Sequence, residues 1–219
     1  FDLKQAVLSN SSFGPREIDD ILGAINRDYL QFGVLRDSVQ ELEAGEARSP
    51  ATSVRLGVCY FLLGKYRLAA DTLANADGGA LAHFYLGKSN FALEKFDEAK
   101  TAYESAATAG YNKDLCALAI AEVQRVAGHA PASLETLDSL FGAVEQTAEY
   151  LFQRAATIAA IGDNPMEAVR LYERAVDTDE THAGALFGLA LESDRRGNDE
   201  AALRLYQQSA HRFPTHVGA

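Results

Sequence analysis

The sequence predicts an all-α chain of about five helix-turn-helix repeats behind an N-terminal helical cap, and three observations carry that reading. Small residues recur in one register at Ala69, Ala99, Ser133, Ala168 and Ala202, spaced by 30, 34, 35 and 34. Each is followed four places later by a large residue (Leu73, Tyr103, Leu137, Tyr172, Tyr206), the pattern of one helix offering a small residue where its antiparallel partner offers a bulky one. Gly64, Gly128, Gly162 and Gly197 stand where the two helices of each unit meet, and glycine there takes the left-handed conformation that ends a helix. Glu94 alone interrupts that glycine series.

Taken in order, residues 1–8, 15–25 and 29–44 read as helices, the second with Pro15 near its start and the third closed by Gly45. In the third, Phe32, Leu35, Val39 and Leu42 recur at helical spacing and are expected to pack against the first repeat. Residues 1–47 form the expected cap. The repeats are expected over 48–214, at about 50–79, 80–113, 114–147, 148–182 and 183–214. In their first helices Ser53-x2-Leu56-Gly57-x2-Tyr60 and His83-x2-Leu86-Gly87-x2-Asn90 keep a Leu-Gly pair, and Ala121, Ala155 and Ala190 replace the glycine in the other three. Gly57 is expected to face Ala69 and Tyr60, and Gly87 to face Ala99. The short first spacing falls on the 75–79 turn and the long third one on Gly162-Asp163-Asn164-Pro165, so both deviations lie in loops. The third repeat is the weakest match, with Pro131 near the start of its second helix, where proline is tolerated. Residues 215–219 read as the start of a sixth repeat. No polar end-helix follows it, which predicts that more protein follows and that the uncapped C-terminal end can self-associate.

This register, including Phe213-Pro214 at a closing-proline position, resembles the tetratricopeptide repeat family over residues 50–214. The resemblance implies a right-handed superhelical array with a concave groove lined by the first helices. Carried over by motif position, the groove residues are Val54, Arg55, Val58 and Phe61, then Phe84, Tyr85, Lys88 and Phe91, with Glu122, Arg125, Phe152, Gln153, Phe187 and Arg195 further on. Members that clamp a chaperone's terminal carboxylate use a Lys and Asn pair where this chain has Val54 and Val58, so that activity is not expected. The partner-binding residues expected from the resemblance are Arg55, Phe84, Tyr85, Lys88, Phe91 and Arg125, the cations steering an acidic or aromatic peptide and the rings supplying buried area. Packing of these aromatics between repeats is the competing expectation. Ser12-Phe13-Gly14-Pro15, Ala51-Thr52-Ser53-Val54-Arg55-Leu56-Gly57-Val58-Cys59, Glu145-Gln146-Thr147-Ala148-Glu149-Tyr150-Leu151 and the stretch 212–219 also resemble bacterial tetratricopeptide proteins that carry a segment similar to the C-terminal domain of RNA polymerase α. That likeness implies the partner-binding arm of a transcription-associated protein, its DNA-binding part lying outside this chain.

Composition narrows the partners. A formal net charge of −11 repels phosphate backbones, so the expected partner is a protein or peptide, with no direct nucleic-acid contact. No apolar run is long enough to span a bilayer and the start lacks a signal-peptide profile, which favours a cytoplasmic location without membrane association. Cys59 and Cys116 sit in apolar helical patterns without metal-ligand spacing and are expected as buried free thiols. His83, His129, His182, His211 and His216 are scattered, and no phosphate loop, nucleophile elbow or HExxH motif occurs. The sequence therefore predicts a non-catalytic scaffold with no cofactor or metal.

Overall fold

The computed structural model describes residues 1–9, 12–45, 49–76 and 78–212. Among them lie thirteen α-helices, one 3-10 helix and no strand. The expected closing Phe213-Pro214, the sixth-repeat start at 215–219 and the self-association expected there fall outside the described residues. The chain forms two compact units, Phe1–Cys116 and Ala117–Ala219.

In the first unit, α1 (Leu3–Leu8), α2 (Pro15–Arg27) and α3 (Leu30–Glu43) precede two hairpins, α4 (Pro50–Leu62) with α5 (Tyr66–Ala74) and α6 (Ala80–Ala92) with α7 (Phe96–Thr108). Ile18, Ile21 and Ile25 give α2 a buried stripe, and Leu35 and Val39 do the same for α3, which packs on α1 and α4. Helix α4 starts where Ser49 accepts the Thr52 N–H and Pro50 supplies a preset φ, so residues with no intrahelical partner are satisfied locally. Helix α8 (Lys113–Val126) spans the boundary between the units.

The second unit continues with α9 (Ala130–Asp138), the 3-10 helix Gly142–Gln146, α10 (Ala148–Ile161), α11 (Pro165–Thr178), α12 (Ala183–Arg195) and α13 (Asp199–Arg212). The weak third repeat has a physical counterpart: α9 is nine residues long and the 3-10 helix takes over where the long second helices, α7 and α11, run on. Ser133, at the small-residue position, is fully buried and its hydroxyl pairs with Thr157 Oγ1 at 2.9 Å, which satisfies two buried hydroxyls at once.

The glycine contacts differ from expectation. A Cβ built on Gly57 would lie 2.5 Å from Leu73, and one on Gly87 would lie 2.6 Å from the Tyr103 ring. The nearest occupant of the gap left by each glycine is therefore the large residue one turn beyond the fully buried Ala69 or Ala99. In the second unit Gly188 makes the same kind of room for Tyr172.

Glu94 interrupts the glycine series by residue type, yet its φ is 59°, matching Gly64, Gly128, Gly162 and Gly197 at 72–86°. It is the only non-glycine with positive φ among the described residues. The hairpin geometry dictates the turn and the side chain bears its cost, since left-handed backbone disfavours a Cβ. Two outcomes are expected in urea unfolding followed by circular dichroism. Glu94→Gly stabilises by about 0.5–1 kcal/mol, whereas Gly87→Ala forces Tyr103 out of place and destabilises by about 1–3 kcal/mol.

Candidate functional site

Helix α6 presents its residues in an order fixed by Gly87. With Gly87 turned toward Tyr103 of α7, the next residue, Lys88, points about 100° around the helix, away from that contact. Phe84 and Tyr85 lie four and three residues before Lys88, so all three share a face. Phe61 of α4 completes the cluster. Lys88 Nζ sits 5.7 Å from the Phe61 centroid, 5.7 Å from Phe84 and 5.9 Å from Tyr85. Each such contact attracts the ammonium to the negative face of a ring. No ion pair among those of the described residues involves Lys88, which is partly exposed.

The rings are held from behind. Phe61 meets Tyr85 edge-on at 5.5 Å, Phe84 stacks on Tyr111 at 4.1 Å with planes 12° apart, and Phe84 also touches Tyr103. Phe84 and Tyr85 are buried, so packing between helices, the competing expectation, accounts for most of their surface. Desolvation raises the Tyr85 hydroxyl well above its ordinary value, reinforced by Tyr111, Asp19 and Cys59. The hydroxyl stays protonated.

The other expected site residues go elsewhere. Phe91 turns toward Phe96 at the start of α7, 6.1 Å away. Arg55 is 7% exposed: its Nη1 donates to the Val7 carbonyl at 3.3 Å, and Phe13 covers its guanidinium at 5.1 Å. Burial lowers its pKa, partly countered by Cys59 and Glu17. Arg125 belongs to the second unit, where Nη2 donates to Gln153 Oε1 at 3.3 Å and lies 3.9 Å from Glu122. The structure thus brings together Phe84, Tyr85 and Lys88 and adds Phe61, while Phe91 meets Phe96, Arg55 meets Val7 and Phe13, and Arg125 meets Gln153 within the second unit.

The second unit also holds a polar line that the sequence does not predict. Arg125 bonds Gln153, Gln153 Nε2 donates to Glu149 Oε1 at 2.9 Å, and Glu149 Oε2 lies 2.9 Å from His182 Nε2. His182 Nδ1 accepts the Ala185 N–H at 3.0 Å, so the network assigns the ring proton to Nε2 and makes His182 the N-cap of α12. The separation of Glu149 and His182, 33 residues, is close to one repeat. That spacing is the one available signal. No group of three or more His, Cys, Asp or Glu among the described residues is placed to hold a metal ion, and no helix among them is long and apolar enough to cross a membrane.

Both thiols are free and buried. Burial pushes Cys59 up to about 12 and Cys116 up to about 11. The folded chain holds these protons more tightly than the unfolded chain. Their contribution is therefore fully present below the ordinary thiol value of about 9 and is lost as pH rises toward about 12. Stability measured between pH 9 and 11 is expected to fall by up to about 1.4 kcal/mol per pH unit for each such group, and Cys59→Ala is expected to make that slope shallower.

A family model described as tetratricopeptide repeat matches residues 81–108, which span α6 and α7 and include the Lys88 cluster's central helix. No curated protein sequence matches the chain. Among solved structures, a chain of the APC/C hetero-tetramer Cut9–Hcn1 aligns over 95% of this chain and 42% of its own length, with a TM-score of 0.70 and 14% identity. MamA from Desulfovibrio magneticus RS-1, residues 41 to the end, aligns over 79% of this chain and 99% of its own, with a TM-score of 0.55 and 11% identity. The C-terminal part of a TPR repeat-containing protein from Cytophaga hutchinsonii covers 91% and 79%, with a TM-score of 0.53 and 15% identity. The second resemblance, to chains with a segment like that of RNA polymerase α, draws no support from these matches. The all-helical fold is that of tetratricopeptide-repeat structures, and α6 with α7 matches one such repeat in sequence.

Proposed function

We propose that this chain is a non-catalytic protein-interaction scaffold whose first unit binds an acidic peptide segment at the Lys88 cluster. The observation that carries the reading is a partly exposed ammonium over three aromatic rings with no carboxylate counter-ion among the described residues. Rings attract a cation without neutralising it, so Lys88 keeps its full charge for an incoming carboxylate while the rings limit its rotamers. Phe61, which is partly exposed, supplies apolar surface beside it, and Tyr85 supports the ammonium from beneath. The repeat fold supports an interaction role, and the fold-level match to a chain of the Cut9–Hcn1 hetero-tetramer is to a protein that assembles with a partner. Because the chain carries a net charge of −11, long-range electrostatics oppose the approach of an acidic partner, and its binding depends on this local contact.

The test is fluorescence anisotropy with a library of labelled acidic decapeptides. Lys88→Glu is expected to weaken the selected peptides about tenfold or more, and Tyr85→Ala by about five- to thirtyfold, equivalent to about 1–2 kcal/mol. Unchanged affinity in both variants would sink the proposal.

A further inference from the structure

Phe141 is 78% exposed, more than any other large apolar side chain among the described residues. Its backbone is nonetheless held on both sides. Leu140 N–H donates to the Leu137 carbonyl at 3.1 Å, Gly142 N–H donates to Glu145 Oε2 at 2.9 Å, and the buried side chains of Leu140 and Val144 anchor the stretch. A ring presented on a pinned loop loses little conformational freedom when a partner covers it. Phe141 borders a groove of about 320 Å³ within the second unit, formed by the end of α9, the 3-10 helix, α10 and α11. Leu140, Leu151 and Leu171, all buried, close its floor. Phe152 and Gln153, the α10 positions expected to face a concave surface, do not line it.

The charged groups around the groove are unequally committed. Arg154 Nη1 donates to Asp138 Oδ1 at 2.6 Å and to the Tyr150 hydroxyl at 3.3 Å, so this arginine and one carboxylate neutralise each other. Glu145 accepts the Gly142 N–H and takes part in no ion pair among those of the described residues. The ion pair of Glu167 is with Arg170, at 3.8 Å, an arginine that does not line the groove. Two carboxylates are thus set against one further lining cation, Arg174, on a chain whose net charge is −11. A cationic side chain is favoured there at short range by the carboxylates and at long range by the whole chain.

We infer that this groove docks a basic peptide segment of a partner protein, with an arginine side chain seated between Phe141 and the carboxylates of Glu145 and Glu167. The aliphatic stem lies along the leucine floor and the guanidinium stacks on the ring. Arginine fits better than lysine because its planar fork both stacks on an aromatic face and pairs with a carboxylate. The inference does not rest on the Lys88 reading, since the two sites lie in different units and select opposite charges.

The test is fluorescence anisotropy on the full chain at low ionic strength with the labelled peptide Gly-Arg-Ala-Arg-Leu-Arg-Ala-Arg-Gly. The control is the same peptide with citrulline for every arginine, which keeps the shape and removes the charge. The arginine peptide is expected to bind and the control to fail. Phe141→Ala, a change at an exposed side chain, is expected to weaken binding about fivefold or more. Glu167→Gln is expected to weaken it about threefold or more and Arg174→Gln to tighten it. Glu173→Gln, at an exposed carboxylate of α11 outside the groove, and Lys88→Glu in the first unit are expected not to weaken it. Equal weakening by Glu167→Gln and Glu173→Gln would mean diffuse attraction to an acidic surface and overturns the inference. So does an affinity that Phe141→Ala leaves unchanged, or equal binding of the two peptides. Sedimentation of the unmodified chain as a dimer that Phe141→Ala converts to a monomer would make the occupant a second copy and overturns the basic partner.

Discussion

The approach of paired helices at Gly57 and Gly87 is the constraint on which the first unit depends. With no Cβ on either glycine, Leu73 and Tyr103 enter the space that a side chain would fill. Packing at that density leaves no tolerance for an added methyl group, so the contact fixes how far α4 and α6 are rotated against α5 and α7. Rotation then decides which residues face outward. Lys88 follows Gly87 directly and is carried to the face it shares with Phe84 and Tyr85, while Phe61 reaches the same place from α4. The cation and its rings are thus a consequence of a small-residue pattern whose own role is packing.

The fold was legible in the sequence wherever one side chain had to satisfy a local rule. Ser49 before α4 and Pro50 at its start, Asn164 before α11 and Pro165 at its start, and the recurrent left-handed turns all act within four residues. Glu94 looks like an exception when the rule is applied to residue type, whereas the backbone obeys the hairpin and imposes its conformation on whatever residue stands there. The partner of each small residue was less legible. Position in the register places Gly57 opposite the recurrent alanine, but the space it leaves is filled by Leu73, whose reach depends on volume and rotamer.

Of the candidate site, the half that lies on one helix was readable and the half assembled between helices was not. Phe84, Tyr85 and Lys88 come together because spacings of three and four residues share a helical face. Phe61 joins them by the packing of α4 on α6, which register suggests but does not fix. Arg55 departs from expectation for a different reason: a groove position is open only if nothing else in the chain lies over it, and Phe13 and the Val7 carbonyl do. Arg125 likewise finds its acceptors at home, in Gln153 and the line running to Glu149 and His182, where each side chain spends its polar groups on the next. These two arginines are already committed within the fold, whereas the surroundings of Lys88 are rings.

The most direct measurement of that distinction is the nuclear magnetic resonance signal of the Lys88 ε-methylene, which three aromatic rings shift away from the position of an ordinary exposed lysine. In the free chain an upfield-displaced resonance is expected, and titration with an acidic peptide selected from the library moves it while a peptide with the carboxylates converted to amides does not. A Lys88 ε-methylene at the ordinary position, or one that stays fixed while the acidic peptide binds, would contradict a lysine held over rings and free to meet a carboxylate.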